Sequence, residues 1–201
     1  MKIGGFQKFS LIDYPGKIAA VIFTQGCNFR CFYCHNPELI FPERFGGLYD
    51  TSEVLSFLEK RRDRLEGIVI SGGEPTLQGD LIDFTGKIKK MGYSVKLDTN
   101  GTNPGVVKEM ISRGLLDYIA MDIKAPLEKY NLITGAVVNL IDIKESIRII
   151  ESSGIDYNFR TTADNSFLSD KDISGITSLL LDREKYTIQE KRDLVMIAGI
   201  E

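Results

Sequence analysis

All three cysteines of the chain, Cys27, Cys31 and Cys34, fall within eight residues, and the only histidine, His35, follows the last of them. Three thiols this close together do not make a disulfide framework. Thiolates are ligands for metals and for iron–sulfur clusters, and two sites suit the set. Zinc accepts three thiolates and an imidazole, but Cys34 and His35 are adjacent, and structural zinc ligands come as two separated pairs. An iron–sulfur cube is larger than one ion, so a loop can wrap it with thiolates four and three residues apart. Three cysteines would leave one iron of a cube without a protein ligand, whereas ferredoxin-type clusters take four. An open iron suits substrate binding better than electron storage.

The elements that must position these thiols alternate along the chain. Short runs rich in Val, Ile, Phe or Tyr predict strands over 18–24, 68–71, 94–98, 118–122, 157–162 and 185–188. Amphipathic stretches predict helices over 51–60, with Thr51 as cap, over 81–91 before Gly92, from Pro104 along the stripe Val106, Val107, Met110 and Ile111, over 143–152, and from Ser169 or Asp170 through Leu180. Six strands alternating with helices predict a parallel sheet with right-handed crossovers. A full eightfold barrel needs about 250 residues, so the expected fold is α/β, an incomplete (βα)6 TIM-type barrel of parallel strands, forming one domain over 1–201.

In such folds chemistry sits at the carboxyl ends of the strands. There the cysteines follow the first strand, Ser71-Gly-Gly-Glu-Pro75 the second, Asp98-Thr-Asn-Gly101 the third and Asp122-Ile-Lys124 the fourth. Arg160, Thr161 and Thr162 lie at the end of the fifth. Gly72 and Gly73 let a ligand approach the backbone, and exposed carbonyls with Glu74 suit a cationic amine; an ordinary strand-to-helix turn would use the same residues. Asp98 also reads as an Asx-type turn. Asp122 and Lys124 also read as a surface ion pair, although residues two apart on a strand face one side. Arg160 reads equally as a barrel-mouth ion-pair partner. His35 is read as a hydrogen-bonding loop residue, and Gly46-Gly47 as a flexible loop.

Composition excludes several classes. The 201 residues are 43% hydrophobic, enough for a substantial core. The net charge of −3, with both signs interspersed, gives no basis for nucleic-acid or anionic-membrane binding. The first ten residues lack the apolar core of a signal peptide, and no run is long enough to span a bilayer. A cytoplasmic protein is expected, and clustered thiols suit a reducing compartment.

The spacing C-x3-C-x2-C with aromatic Tyr33 before the last cysteine resembles the signature of the radical S-adenosylmethionine (SAM) enzymes. The extension Cys34-His35-Asn36-Pro37 resembles the activating enzymes of glycyl-radical proteins. The leader Phe9-Ser-Leu-Ile-Asp-Tyr-Pro-Gly16 is similar to the anaerobic ribonucleoside-triphosphate reductase activating proteins. Asp98-Thr-Asn-Gly and Asp122-Ile-Lys are similar to stretches of the pyruvate formate-lyase activating enzymes. The resemblance implies a [4Fe–4S] cluster on Cys27, Cys31 and Cys34, and the SAM amino group held at Gly72, Gly73 and Glu74. It also implies Lys124 near the SAM carboxylate, Asp98 and Arg160 in the SAM site, and Tyr33 beside the cluster or adenine. Asp98, Thr99 and Asp122 would surround a monovalent cation, for which oxygen ligands are suited.

The implied activity is reductive cleavage of SAM to methionine and a 5′-deoxyadenosyl radical, which takes hydrogen from a glycine of a partner enzyme, anaerobic ribonucleotide reductase. The chain has no second cysteine set, so the electron would come from a flavodoxin or ferredoxin. Two alternatives stay open at this point. One is a small radical SAM enzyme acting on a free metabolite, as 7-carboxy-7-deazaguanine synthase does. The other is a non-catalytic zinc or electron-transfer module.

Overall fold

The computed structural model describes residues 1–163 and 166–190. Among them seven strands form one sheet in chain order. These are β1 (Ile3–Ser10), β2 (Ala19–Thr24), β3 (Gly67–Gly72), β4 (Ser94–Thr99), β5 (Tyr118–Asp122), β6 (Asp156–Ala163) and β7 (Tyr186–Glu190). From β2 to β7 every neighbouring pair is parallel. Helices occupy the crossovers: α1 (Thr51–Glu59), α2 (Leu81–Lys90), α3 (Pro104–Ser112), α4 (Tyr130–Thr134) with α5 (Leu140–Glu151), and α6 (Asp170–Thr177). This is the architecture of a partial TIM-type barrel, as the alternation of elements predicts.

Two elements depart from the expectation. The seventh strand is β1, which pairs antiparallel with β2 and covers its free edge. Its sequence IGGFQKFS hides it, because two glycines and a polar middle break the strand pattern, and only Ile3 and Ser10 are buried. Helix α4 is five residues long and stops at Gly135, whose φ of 59° places it in the left-handed region. Boundaries also shift at the caps. Asp50, not Thr51, caps α1 by accepting from Ser52 N and Glu53 N, and Asn139 caps α5, which starts at Leu140, three residues before the expected Ile143. Ser169 and Asp172 form a capping box on α6, which ends at Thr177 rather than Leu180.

The strand period of two gives the sheet two apolar faces. Ala20, Ile22, Ile68, Ile70, Val95, Leu97 and Ile119 belong to the larger core with the helices. Ala19, Val21 and Val69 join Tyr14 on the opposite face. Tyr14 comes from the turn between β1 and β2. Its ring packs on Gly67, where an added Cβ would lie 2.7 Å from it. It also lies 6.0 Å from the ring of Tyr118. One side chain thus reaches from the start of β2 to the start of β5, which requires the sheet to curl. Tyr14 closes the interior at the amino ends of the strands, and the carboxyl ends stay available. Among the described residues, no helix is long and apolar enough to cross a membrane.

Gly86 lies inside α2, and a Cβ there would meet nothing within 4 Å. Gly86→Ala is expected to stabilise the protein by about 0.5–1 kcal/mol through helix propensity. The midpoint of thermal denaturation followed by circular dichroism should rise by about 1–4 °C; a fall would show that α2 packs more closely at this position.

Candidate active site

The cysteine loop leaves β2, and its segment from Cys27 to Cys34 has no helix or strand and is tied down by hydrogen bonds to its neighbours. Gly26 N donates to Leu39 O at 2.7 Å, and Glu74 N donates to Gly26 O at 2.8 Å. Arg30 N donates to Thr134 O at 2.7 Å, and Arg30 Nη1 donates to the carbonyls of Cys27 and Phe29, each at 2.7 Å. Asn28 lies between the first two cysteines. Its amide donates to Thr102 Oγ1 and accepts from Asn100 Nδ2, both at 2.9 Å. Three neighbouring loops therefore hold the thiols in place.

The Gly72-Gly73 pair has a second reason to be glycine. Gly72 has φ 112°, and a Cβ on it would lie 2.3 Å from Thr24 N. A Cβ on Gly73 would lie 2.1 Å from Gly26 O. The β3 loop can touch the cysteine loop backbone to backbone only without side chains there.

Glu74 is 1% exposed. Its carboxylate accepts from Thr76 N at 3.1 Å, Thr76 Oγ1 at 2.6 Å, Thr99 Oγ1 at 2.7 Å and Asn100 N at 2.6 Å. Burial raises its pKa, and the four donors oppose that rise. One carboxylate thereby links the β3 and β4 loops.

Deeper in the mouth runs a line of charges. Lys96 Nζ pairs with Asp98 Oδ1, and Ser71 Oγ donates to Asp98 Oδ2 at 3.1 Å. Arg160 reaches Asp98 Oδ2 at 3.7 Å through Nη2 and Asp122 Oδ1 at 2.9 Å through Nε. Lys124 Nζ donates to Asp122 Oδ2 at 2.9 Å. Burial opposes the charge on Asp122, yet Arg160 and Lys124 outweigh it and hold the carboxyl well below its ordinary range. Burial likewise opposes the Lys124 ammonium, and Asp122 with other neighbours holds its pKa well above the ordinary value.

One cavity is lined by Cys27, Cys31, Cys34, Tyr33, Gly72, Gly73, Glu74, Asp98, Thr99, Asp122, Lys124 and Arg160, and His35 also borders it. The chain folding thus gathers every residue that the sequence singled out for cluster, SAM or cation. Thr162 and Gln189 add a wall from β6 and β7. The thiols are free; burial pushes Cys27 up to about 11 and raises Cys31 as well. The Tyr33 ring stacks on Phe167 at 5.1 Å and 9°, with Phe32 edge-on to both. Among the described residues, its buried hydroxyl has no hydrogen-bond partner. Among the described residues, no three or more His, Cys, Asp or Glu are gathered as a single-ion site.

Residues 21–168 match the model of the radical SAM superfamily. The chain belongs to that superfamily. It is 37% identical over 194 residues to a Methanocaldococcus jannaschii protein that carries the name of a glycyl-radical enzyme activating enzyme, covering 94% of this chain and 79% of that one. It is 32% identical over 161 residues to the pyruvate formate-lyase-activating enzyme of Clostridium pasteurianum, covering 77% of this chain and 65% of the relative. Among solved structures, Streptococcus suis SuiB bound to S-adenosylmethionine superposes with a TM-score of 0.69 at 13% identity, covering 90% of this chain and 42% of that one. The structure of anSMEcpe with bound AdoMet gives 0.64 at 16% identity, covering 84% and 50%. These two share the fold.

Membership in the radical SAM superfamily implies a [4Fe–4S] cluster and SAM as cofactors, and the cavity fits them. It offers a soft all-sulfur donor set, an unsatisfied phenol, and polar and cationic groups opposite the thiols.

Several residues of the site escaped the sequence reading. Asn28 and Thr76 carry no motif of their own, Asn100 was read only as part of Asp98-Thr-Asn-Gly101, and the roles of all three come from hydrogen bonds across loops. Lys96 did carry a signal, since it interrupts an otherwise apolar strand two residues before Asp98, on the same face.

Gly73→Ala should force the two loops apart. The expected result is destabilisation by about 1–3 kcal/mol, with iron bound per chain after anaerobic reconstitution reduced by half or more. Gly79→Ala, where a Cβ meets nothing within 4 Å, should leave iron content unchanged. Equal iron content in the two variants would rule out backbone contact as the reason for Gly73.

Proposed function

We propose that this protein is a glycyl-radical-enzyme activase, with anaerobic ribonucleotide reductase as its partner and a flavodoxin or ferredoxin as its electron donor. The observation that carries the reading is the single cavity in which the three thiols face the Gly72-Gly73-Glu74 turn and the Lys124–Asp122–Arg160 ion pairs. The relatives named as activating enzymes support the reaction class, and the leader Phe9 to Gly16 supports the choice of partner by its resemblance. No observation favours the free-metabolite enzyme or the non-catalytic module.

In this reading Cys27, Cys31 and Cys34 hold the cluster. The carbonyls of Gly72 and Gly73 with Glu74 receive the SAM amino group, and Lys124 with Arg160 receives its carboxylate. The bound cluster and SAM supply one-electron cleavage of the sulfonium and the oxidising power to take a hydrogen atom from glycine. The protein's own part is positional. The loop contacts through Asn28, Arg30 and Glu74 fix the thiols before any ligand arrives, which lowers the reorganisation needed in the reaction. Asp122 keeps Lys124 charged at every working pH. Tyr33, held by stacking on Phe167, gives one wall of the cavity an aromatic surface.

Anaerobically reconstituted protein, reduced with dithionite or a flavodoxin system, should release 5′-deoxyadenosine from SAM. Cys31→Ala should lose the cluster signal in electron paramagnetic resonance and the release together. With anaerobic ribonucleotide reductase present, a glycyl-radical doublet should appear; with pyruvate formate-lyase it should be weaker by at least about tenfold, the difference that 1.4 kcal/mol of partner discrimination supplies. A doublet on pyruvate formate-lyase alone would move the partner assignment. A cluster indifferent to SAM would sink the mechanism.

A further inference from the structure

Lys96 is a buried charge with no role in the reaction as described. It is 4% exposed and stands on β4 between Val95 and Leu97, both in the larger core. Register places it beside Val69 of β3 and Tyr118 of β5. An ammonium in this position is costly unless it is paired, and an aliphatic side chain would fill the same space at no such cost. The pairing is with Asp98, and it continues through Arg160 and Asp122 to Lys124. Lys96, Arg160 and Lys124 carry three positive charges against the two negative charges of Asp98 and Asp122. The line therefore has a net charge of +1.

The side-chain oxygens that the sequence offered to a monovalent cation already have protein partners. Asp98 Oδ1 is taken by Lys96, and Oδ2 by Ser71 and Arg160. Asp122 Oδ1 is taken by Arg160, and Oδ2 by Lys124. Thr99 Oγ1 donates to Glu74 and accepts from Gly101 N at 3.1 Å. An added metal cation would raise the charge of this line to +2. A ligand carboxylate brings it to zero. Unit charges this close repel when alike and attract when opposite, so the sign of the line favours a ligand carboxylate over a metal cation.

We propose that Lys96 is the resident cation of this site, so that the SAM carboxylate is bound by protein charges alone and no Na⁺ or K⁺ takes part. The proposal rests on the reading of the cavity as a SAM site. It makes Lys96 a positioning residue, acting through Asp98 and Arg160.

The test uses anaerobically reconstituted protein in tetramethylammonium buffer, with and without K⁺, and two readouts. Equilibrium dialysis with Rb⁺ should find no saturable site in the wild type. Lys96→Met, which leaves Asp98 short of a cation, should take up about one Rb⁺ per chain, as a vacated oxygen site for a hard cation would. SAM affinity, followed through the electron paramagnetic resonance change, should differ less than about twofold between the two buffers for the wild type. For Lys96→Met it should be about tenfold weaker without K⁺ and recover with it, a change of 1.4 kcal/mol.

Saturable Rb⁺ binding to the wild type would overturn the proposal. So would a Lys96→Met protein that binds SAM as the wild type does without K⁺. If Lys96→Met does not fold, the two wild-type measurements still decide. Failure of SAM to bind in every buffer would instead overturn the functional reading, while Rb⁺ dialysis would still decide the role of Lys96.

Discussion

Glu74 accepts four hydrogen bonds with its carboxylate almost wholly out of solvent, and its own N–H reaches back to the carbonyl of Gly26. Through this residue the loops after β2, β3 and β4 are fixed against one another. Such contact needs two neighbours without side chains, which Gly72 and Gly73 provide. A buried carboxylate with a missing donor would be costly, so the three loops are set together or not at all. The geometry of the thiols follows from that constraint. The segment from Cys27 to Cys34 has no helix or strand of its own and borrows its shape from its neighbours.

A partial barrel also has to dispose of its interior, and this one does so in two ways along its axis. At the amino ends of the strands Tyr14 fills the space with aromatic surface against Gly67, Val21 and Val69. Toward the carboxyl ends the inward residues become Ser71, Asp98, Asp122 and Arg160, which lie along the cavity. The apolar base excludes water from below. That lowers the local dielectric under the ion pairs and strengthens each of them. Stability and chemistry are thus separated by height within one sheet, as is usual for parallel barrels.

Much of this was legible in the sequence because parallel strands buried on both faces read as apolar runs with abrupt polar ends. The six parallel strands, the crossover helices and the residues at each strand end all follow from that pattern. What escaped it has two physical causes. Strand β1 and helix α4 are stabilised by tertiary contacts rather than by propensity, since β1 carries two glycines and α4 is five residues long. The loop-to-loop bonds of Asn28, Thr76 and Asn100 depend on three-dimensional proximity across as many as 74 positions in the chain, to which no local pattern is sensitive.

Lys96 lies between these cases. Lysine in the middle of a buried parallel strand contradicts the local pattern, and such contradictions belong at functional positions. The strand period alone places its ammonium on the same face as Asp98, but it does not say that Asp98 meets Arg160, or that Arg160 meets Asp122. Those links cross β4, β5 and β6, and only the curl of the sheet brings the heads together. Once they meet, the sign of the whole line matters more than any one pair: three cations and two carboxylates leave the line with one positive charge in excess. That excess charge favours an anionic ligand group over a second cation, and it arises from a residue that touches no expected ligand.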